Sequence, residues 1–376
     1  MTVFLASIGL LLASCFYAPW LIVKLLAPAA SRGRRWGLQA LGSIACLAVV
    51  LGYSAIMMSG TYTLAAPLHG ALYNGTGLLF MAHVYLTLCA IVIGIALLLG
   101  ARRHPHLRRG AGFAALLVPA AAVTWGFITA QGFEITRLNL EVDGLERPVT
   151  FAHLPDIHLG HQRDERYLRK VLAAVARERP DFILYNGDLF DSNAGLKPEV
   201  FATLAAVDTP QYFTTGNHEF YMDTTRSLEL LAAAGVRILR SQVAEVAGVQ
   251  LVGLEYMNAD GQSRDPHSVN TLTMDVELPK ITVDASRPVL LAHHSPVGYD
   301  YAADYGADVY VAGHTHAGQI WPATWLVGLN FPHYKGVQQH RGMQAVVSQG
   351  AGTFGPWMRL GSKNEVQLIR LQPANP

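Results

Sequence analysis

Asp156 and His158 stand two residues apart in the sequence DIH, and the same spacing recurs at His314 and His316 in GHTH. Alternate residues of an extended chain face the same way, so each pair can offer two ligand atoms to one point. Between these pairs come Asp188 in GDLFD, Asn217 and His218 in GNHE, and the adjacent His293 and His294. Carboxylate oxygens mixed with imidazole nitrogens suit Mn, Fe, Zn or Mg and disfavour copper or iron–sulfur clusters. The cysteines, Cys15, Cys46 and Cys89, all fall in apolar runs near the N-terminus. No thiolate site and no disulfide framework can therefore be built in the remainder of the chain.

The elements that must carry these residues alternate regularly. RPVTFAHLPDIHLG (147–160) reads as an apolar, β-branched strand ending in a polar loop. A helix follows, with Leu168, Val171, Leu172 and Val175 at spacings of three and four. PDFILYNGDLFD (180–191) reads as a strand, 198–206 as a helix and PQYFTTGNHE (210–219) as another strand. Strand, helix, strand, helix, strand is the pattern of a parallel βαβαβ unit. Ligands bind at the carboxyl ends of such strands. A lone Asp there is usually a helix cap and a lone His a satisfied core residue, but capping does not account for five successive strand ends bearing Asp, His or Asn. Further strands read at a hairpin through Ala247 and Gly248 (239–256), at RPVLLAHH (287–294) and ADVYVAGH (307–314), and near MQAVVSQG (343–350) and EVQLIRL (365–371). These are enough for a second sheet packed on the first, with helices outside, in a four-layer α/β/β/α sandwich.

The N-terminal third is a different material. Residues 1–130 hold no Asp or Glu and eight Lys or Arg, so all 27 acidic residues and 28 − 8 = 20 basic ones lie beyond. The two parts are then +8 and 20 − 27 = −7. An acidic soluble domain argues against non-specific nucleic-acid binding. Stretches at 3–23, 37–58, 77–99 and 112–130 each approach the roughly 20 apolar residues that cross a bilayer as a helix. The first lacks the basic n-region of a cleaved signal peptide. Arg-bearing loops at 31–36 and 101–109 flank an uncharged loop at 59–75. The positive loops stay cytoplasmic, which puts both ends of the chain, and everything after 131, outside. His104 and His106 in the second Arg loop read as solvated, and His83 as buried or at the lipid headgroups. No charged residue within a span marks an ion pathway.

DIH, GDLFD, GNHE and GHTH, in this order and on this scaffold, resemble the motifs of the calcineurin-like metallophosphoesterases. The similarity extends over about 145–370 and is closest to the branch with an N-terminal membrane region, through GNHEFY, AGVRILR, GHTHAGQ and GAGTFGPWMR. The expected architecture is a transmembrane region of four helices at 1–130, a connector at 131–146 and the α/β catalytic domain at 147–372. The resemblance implies a binuclear centre. Asp156, His158 and His316 would hold one ion, Asn217, His294 and His314 the other, and Asp188 would bridge them. Two such ions clamp the attacking and leaving oxygens of an in-line displacement and make a hydroxide nucleophile available near neutral pH. His218 would protonate the leaving oxygen or stabilise the phosphorane, a general-acid role, with Asn217 beside it. The family's strand usually ends in L-S-H-x-P, whereas this chain has LLAHHSP; the H-x-P spacing selects His294 over His293. Pro155 stands where the family commonly has Ser. Asp191 either supports a ligand His or caps a loop, Glu219 reads as supporting or solvated, and Arg359, Tyr334 and Trp357 as pocket-lining, surface or packing residues. The implied activity is hydrolysis of a phosphate mono- or diester, with a lipid-linked or envelope substrate as one option, by a multi-pass protein of a bacterial-type plasma membrane with its catalytic domain extracytoplasmic. The alternatives are a nucleotide-lipid pyrophosphatase of the lipid A type and a catalytically inactive membrane scaffold.

Overall fold

A computed structural model describes residues 2–58, 66–99, 105–262 and 271–374. Two compact units emerge: residues 1–128 with 355–358, and residues 129–354 with 359–376.

The first unit contains four helices, α1 (Thr2–Leu26), α2 (Arg32–Met58), α3 (Ala66–Leu98) and α4 (Pro105–Ala130). Each holds a stretch long and apolar enough to cross a membrane. They begin earlier than the apolar runs at 37, 77 and 112, because a helix continues through its polar flanks when nothing in them breaks it. Small residues allow close approach: a Cβ on Gly42 would lie 2.9 Å from Cβ of Pro19. His83 is buried, as expected, with Nε2 2.9 Å from Oγ of Ser14, to which Thr87 also bonds. Residues 59–65 of the uncharged loop and residues 100–104, with His104, lie outside the described residues, as does the side chain of His106; residues 66–75, read as loop, are the first turns of α3. Within this unit Trp357 packs edge-on against Phe127 with ring centroids 5.3 Å apart.

The second unit is built from two six-stranded sheets. The first, in the order β1-β12-β2-β3-β4-β5, comprises β1 (Glu134–Val142), β2 (Val149–His153), β3 (Phe182–Asn186), β4 (Gln211–Thr214), β5 (Arg237–Ile238) and β12 (Glu365–Pro373). β2 to β5 run parallel, and β12 lies antiparallel to β2 and parallel to β1. The second, β10-β11-β9-β8-β7-β6, comprises β6 (Gln242–Val246), β7 (Val249–Gly253), β8 (Val289–Ala292), β9 (Val309–Ala312), β10 (Gly336–His340) and β11 (Met343–Val347). Its inner four strands are parallel and its edges antiparallel. The β6–β7 hairpin turns through Ala247 (φ 53°) and Gly248 (φ 94°), and two positive φ values are what a tight two-residue hairpin turn needs.

Strand Phe182–Asn186 is buried at every residue, as expected for a parallel strand covered on both faces. Phe151, Phe182, Leu184, Leu251, Leu290 and Val311 fill the space between the sheets. Outside the first sheet lies α5 (Glu165–Glu178), capped by Asp164 accepting from the backbone N–H groups of Arg166 and Tyr167, with Leu168, Val171, Leu172 and Val175 buried. α6 (Pro198–Ala205) and α8 (Thr224–Ala233) pack beside it, while the four-residue α7 (Asn217–Phe220) follows β4. Short helices at Met274–Glu277 and Tyr299–Tyr305 cover the second sheet. Helix, sheet, sheet, helix is the four-layer order that the strand and helix pattern predicts.

Candidate metal centre

The carboxyl ends of the parallel strands converge at one place. β2 is followed by Asp156 and His158, β3 by Asp188, β4 by Asn217 and His218, β8 by His293 and His294, and β9 by His314 and His316. These side chains are buried, except His218 and His314, which are partly exposed. Asp156, His158, Asp188, His314 and His316 all have positive φ, between 48° and 69°. Asp and His tolerate this region better than most residues, yet each such conformation costs about 1–3 kcal/mol and persists only where the surroundings enforce it.

Three groups of ligand atoms lie within 4.8 Å of one another: Asp156, His158 and His316; His158, Asp188 and His218; and Asp188, His294 and His314. Asp188 is common to two of them. Its Oδ2 lies 3.7 Å from Nε2 of His158 and 3.2 Å from Nε2 of His294. Nε2 of His316 is 3.3 Å from Oδ1 of Asp156 and 3.1 Å from Nε2 of His158. Oδ1 of Asn217 is buried with no hydrogen-bond partner. Burying an unpaired acceptor is costly, and a cation at this point would satisfy it. The donor set of carboxylate, amide and imidazole fits one.

Supporting contacts fix the rings. Nδ1 of His158 faces Oδ1 of Asp191 at 3.2 Å, and Nδ1 of His294 faces the carbonyl of Asn186 at 2.7 Å, so each presents Nε2 inward. His293 turns the other way: its Nδ1 meets the carbonyl of Ser295 at 2.8 Å, and its Nε2 accepts from the backbone N–H of Met257 at 3.2 Å. His218 turns Nδ1 toward Asp191, 3.3 Å from its carbonyl and 3.5 Å from Oδ1. Burial disfavours the His218 cation, but Asp188 and Asp191 outweigh it and hold the imidazole above its usual pKa. Burial opposes charge at His294 too, and Asp188 and Asp156 overcome it, raising that group to about 10.

For several residues the structure selects among the alternatives read from the sequence. Glu219 is not solvated: it is fully buried and accepts from the backbone N–H groups of Asp188, Phe190 and Gly216. Burial, with Asp188 nearby, pushes it up to about 7. Arg359 lines no surface and is fully buried. Trp357 belongs to the helical unit. Asp191 contacts both His158 and His218.

Other functional neighbours left no periodic trace in the sequence. Phe354 lies over the rings of His158, His218 and His316, with centroids 4.9–6.2 Å away. Beneath the site a polar layer joins the sheets: Nδ1 of His153 meets Oε1 of Gln367 at 2.9 Å, and Asn186 donates toward Nε2 at 3.0 Å. Burial pushes His153 down to about 4, so it serves this layer as a neutral ring. These residues alternate with apolar ones on strands, and their alternation carries no mark of which polar side chains will meet.

A family model for calcineurin-like phosphoesterases matches residues 149–318, which include every one of the converging strand ends. The chain carries a calcineurin-like metallophosphoesterase domain. Among relatives, an uncharacterized metallophosphoesterase of Helicobacter pylori is 27% identical over 64% of this chain and 65% of its own length. One from Aquifex aeolicus is 28% identical over 63% of this chain and 91% of its own length. A transmembrane protein with metallophosphoesterase domain from Danio rerio is 28% identical over 69% of this chain and 62% of its own length. The matched part thus spans slightly less than two thirds of the Helicobacter and Danio relatives. The same chain contains four helices long and apolar enough to cross a membrane.

Proposed function

We propose that this chain is a membrane-anchored, binuclear-metal phosphoesterase that hydrolyses a phosphate mono- or diester. The observation that carries the reading is the position of Asp188, with its carboxylate reaching toward His158 on one side and His294 on the other. In this reading Asp156, His158 and His316 hold one divalent ion, Asn217, His294 and His314 hold the other, and Asp188 touches both. The ions would supply Lewis acidity, activating water and offsetting charge on the phosphoryl oxygens. Mn, Fe, Zn and Mg all suit the ligand set, and availability decides among them.

The chain's own residues do the rest. Asp156 and Asp188 only partly neutralise two divalent ions, so the site stays positive toward an anionic phosphate. Asp156 accepts from the backbone N–H of His314 at 2.9 Å, which ties the first strand end to the last. With Nδ1 toward Asp191, His218 is left with Nε2 for the leaving oxygen. A proton carried on Nε2 would be the one transferred to that oxygen.

The orientation we propose is extracytoplasmic, since the Arg loops favour the cytoplasm; a bacterial-type plasma membrane fits this arrangement. A lipid-linked substrate is supported by the segment after His316. Thr315 Oγ donates to the carbonyl of Tyr334 at 2.7 Å, closing a loop that exposes Trp325, Leu326 and Leu329 at 75%, 56% and 80%. Apolar groups so exposed on a loop anchored at the metal site suit an acyl or prenyl chain.

The test uses the full chain in detergent with chromogenic phosphomonoester and phosphodiester substrates, with Mn2+ and with chelator, beside Asp188→Asn. Turnover that needs metal and falls at least about 100-fold in the variant supports the reading, since even partners of ligands cost about 10–100-fold. Turnover that survives chelation, or that Asp188→Asn leaves intact, overturns it.

A further inference from the structure

Arg359 heads the fully buried side chains among the described residues, and the chemistry described so far makes no use of it. Its guanidinium meets no carboxylate in its hydrogen bonds. Nη2 has two hydrogens, which it donates to the carbonyls of Gln349 and Gly352 at 2.7 and 2.6 Å, and it lies 2.9 Å from Nδ1 of His316. Nη1 donates to the carbonyl of His316 at 2.8 Å, and Nε to Oδ1 of Asn364 at 3.0 Å. A buried cation is expensive unless its donors are satisfied. Here the planar fork satisfies them by gathering three stretches of chain: 316, 349–352 and 364.

The 349–352 turn is itself fitted to the first metal-ligand loop. The backbone N–H of Gly352 donates to the carbonyl of Asp156 at 2.6 Å, and that of Ala351 to Pro155 at 2.9 Å. A Cβ on Gly350 would come within 2.8 Å of Cβ of Asp156. Arg359 thus joins the turn under Asp156 to the backbone of His316, whose carbonyl it holds. The rings of His158 and His294 are fixed through Nδ1 by an acceptor, a carboxylate and a carbonyl. At His316 it is the main chain that the guanidinium fixes.

We infer that Arg359 is a positioning residue of the metal centre, which holds the backbone at His316 and the Asp156 loop in the relative placement that one divalent ion requires. The inference rests on the reading of Asp156, His158 and His316 as ligands of one ion. A lysine could not replace the guanidinium, because an ammonium is a point donor and cannot span three carbonyls from one plane.

The experiment titrates Mn2+ into the metal-stripped full chain in detergent by calorimetry, with thermal unfolding recorded on the same samples. The variants are Arg359→Met, Arg359→Lys, His316→Ala and the double Arg359→Met/His316→Ala. Arg359→Met and Arg359→Lys are each expected to weaken Mn2+ binding by roughly 10–100-fold, in the binding step that His316→Ala also weakens. The double variant is expected to lose less than the product of the two single losses, because part of what Arg359 positions is already gone in His316→Ala. If His316→Ala weakens binding but the Arg359 variants do not, or if the two losses multiply in the double variant, the inference is wrong while the ligand reading stands. If His316→Ala leaves binding unchanged, the ligand reading fails and the inference falls with it. If neither Arg359 variant folds, the residue's role is structural and the inference also falls.

Discussion

His218 and His294 sit within the same cluster of carboxylates but are prepared for different work. His218 is partly exposed and bonded through Nδ1 to Asp191, the arrangement of a ring that exchanges a proton. Replacing it with Ala should lower kcat by roughly 10²–10⁴ while bound metal, measured by mass spectrometry, stays at the parent level. A parallel loss of metal would make His218 a ligand instead. His294 is fully buried between Asp188 and Asp156, which raise it to about 10. An incoming ion must displace the proton that this ring retains at any pH below that value. Mn2+ affinity should therefore rise with pH between 6 and 8, by up to about tenfold per unit for each proton displaced. Calorimetric titration across that range measures the slope, and a flat profile would mean that His294 is not metallated. Asp156, Asp188 and the His residues are legible in the sequence because each stands in a short polar run directly after an apolar one. Arg359 and Phe354 are not, because nothing in GTFGPWMR distinguishes a side chain folded inward from one facing water.

The working parts at the next scale are the loops after β2, β3, β4, β8 and β9, held open by close backbone contacts. Gly216, just before Asn217, is packed so closely on Asp188 that a Cβ there would meet Oδ1 and lie 2.6 Å from its backbone nitrogen. Gly216→Ala should cost about 1–3 kcal/mol in thermal or denaturant unfolding and weaken metal binding as well. Gly132→Ala, where a Cβ would meet nothing within 4 Å, serves as the control and should leave both unchanged. Equal effects at the two positions would show that the contact with Asp188 does not matter. Glu219 secures the same junction by accepting three backbone N–H groups from the β3 and β4 loops. The helices were readable from their period of 3.6, and the strands as continuous apolar runs, because both sheets are covered on each face. The helix starts were less so, since a membrane helix continues into its polar flank without changing its hydrogen bonding.

Over the whole molecule the charge is divided, with +8 on residues 1–130 and −7 beyond. If the Arg loops orient the helices, a reporter fused after residue 376 should be active as a periplasmic phosphatase fusion and dark as a cytoplasmic fluorescent one. The opposite pattern would overturn the extracytoplasmic orientation and restore the case for a cytoplasmic nucleotide-lipid substrate. By itself the sequence determined the four apolar helices, the alternation of strands and helices, and the candidate ligands at strand ends. Those properties are local, set by composition and by periods of two and 3.6 residues. The tertiary structure decided which of His293 and His294 turns toward the carboxylates, that Asp188 lies between two groups of ligands, and that Arg359 and Glu219 are buried. These outcomes depend on the register between strands far apart in the chain, where a shift of one residue reverses every side chain.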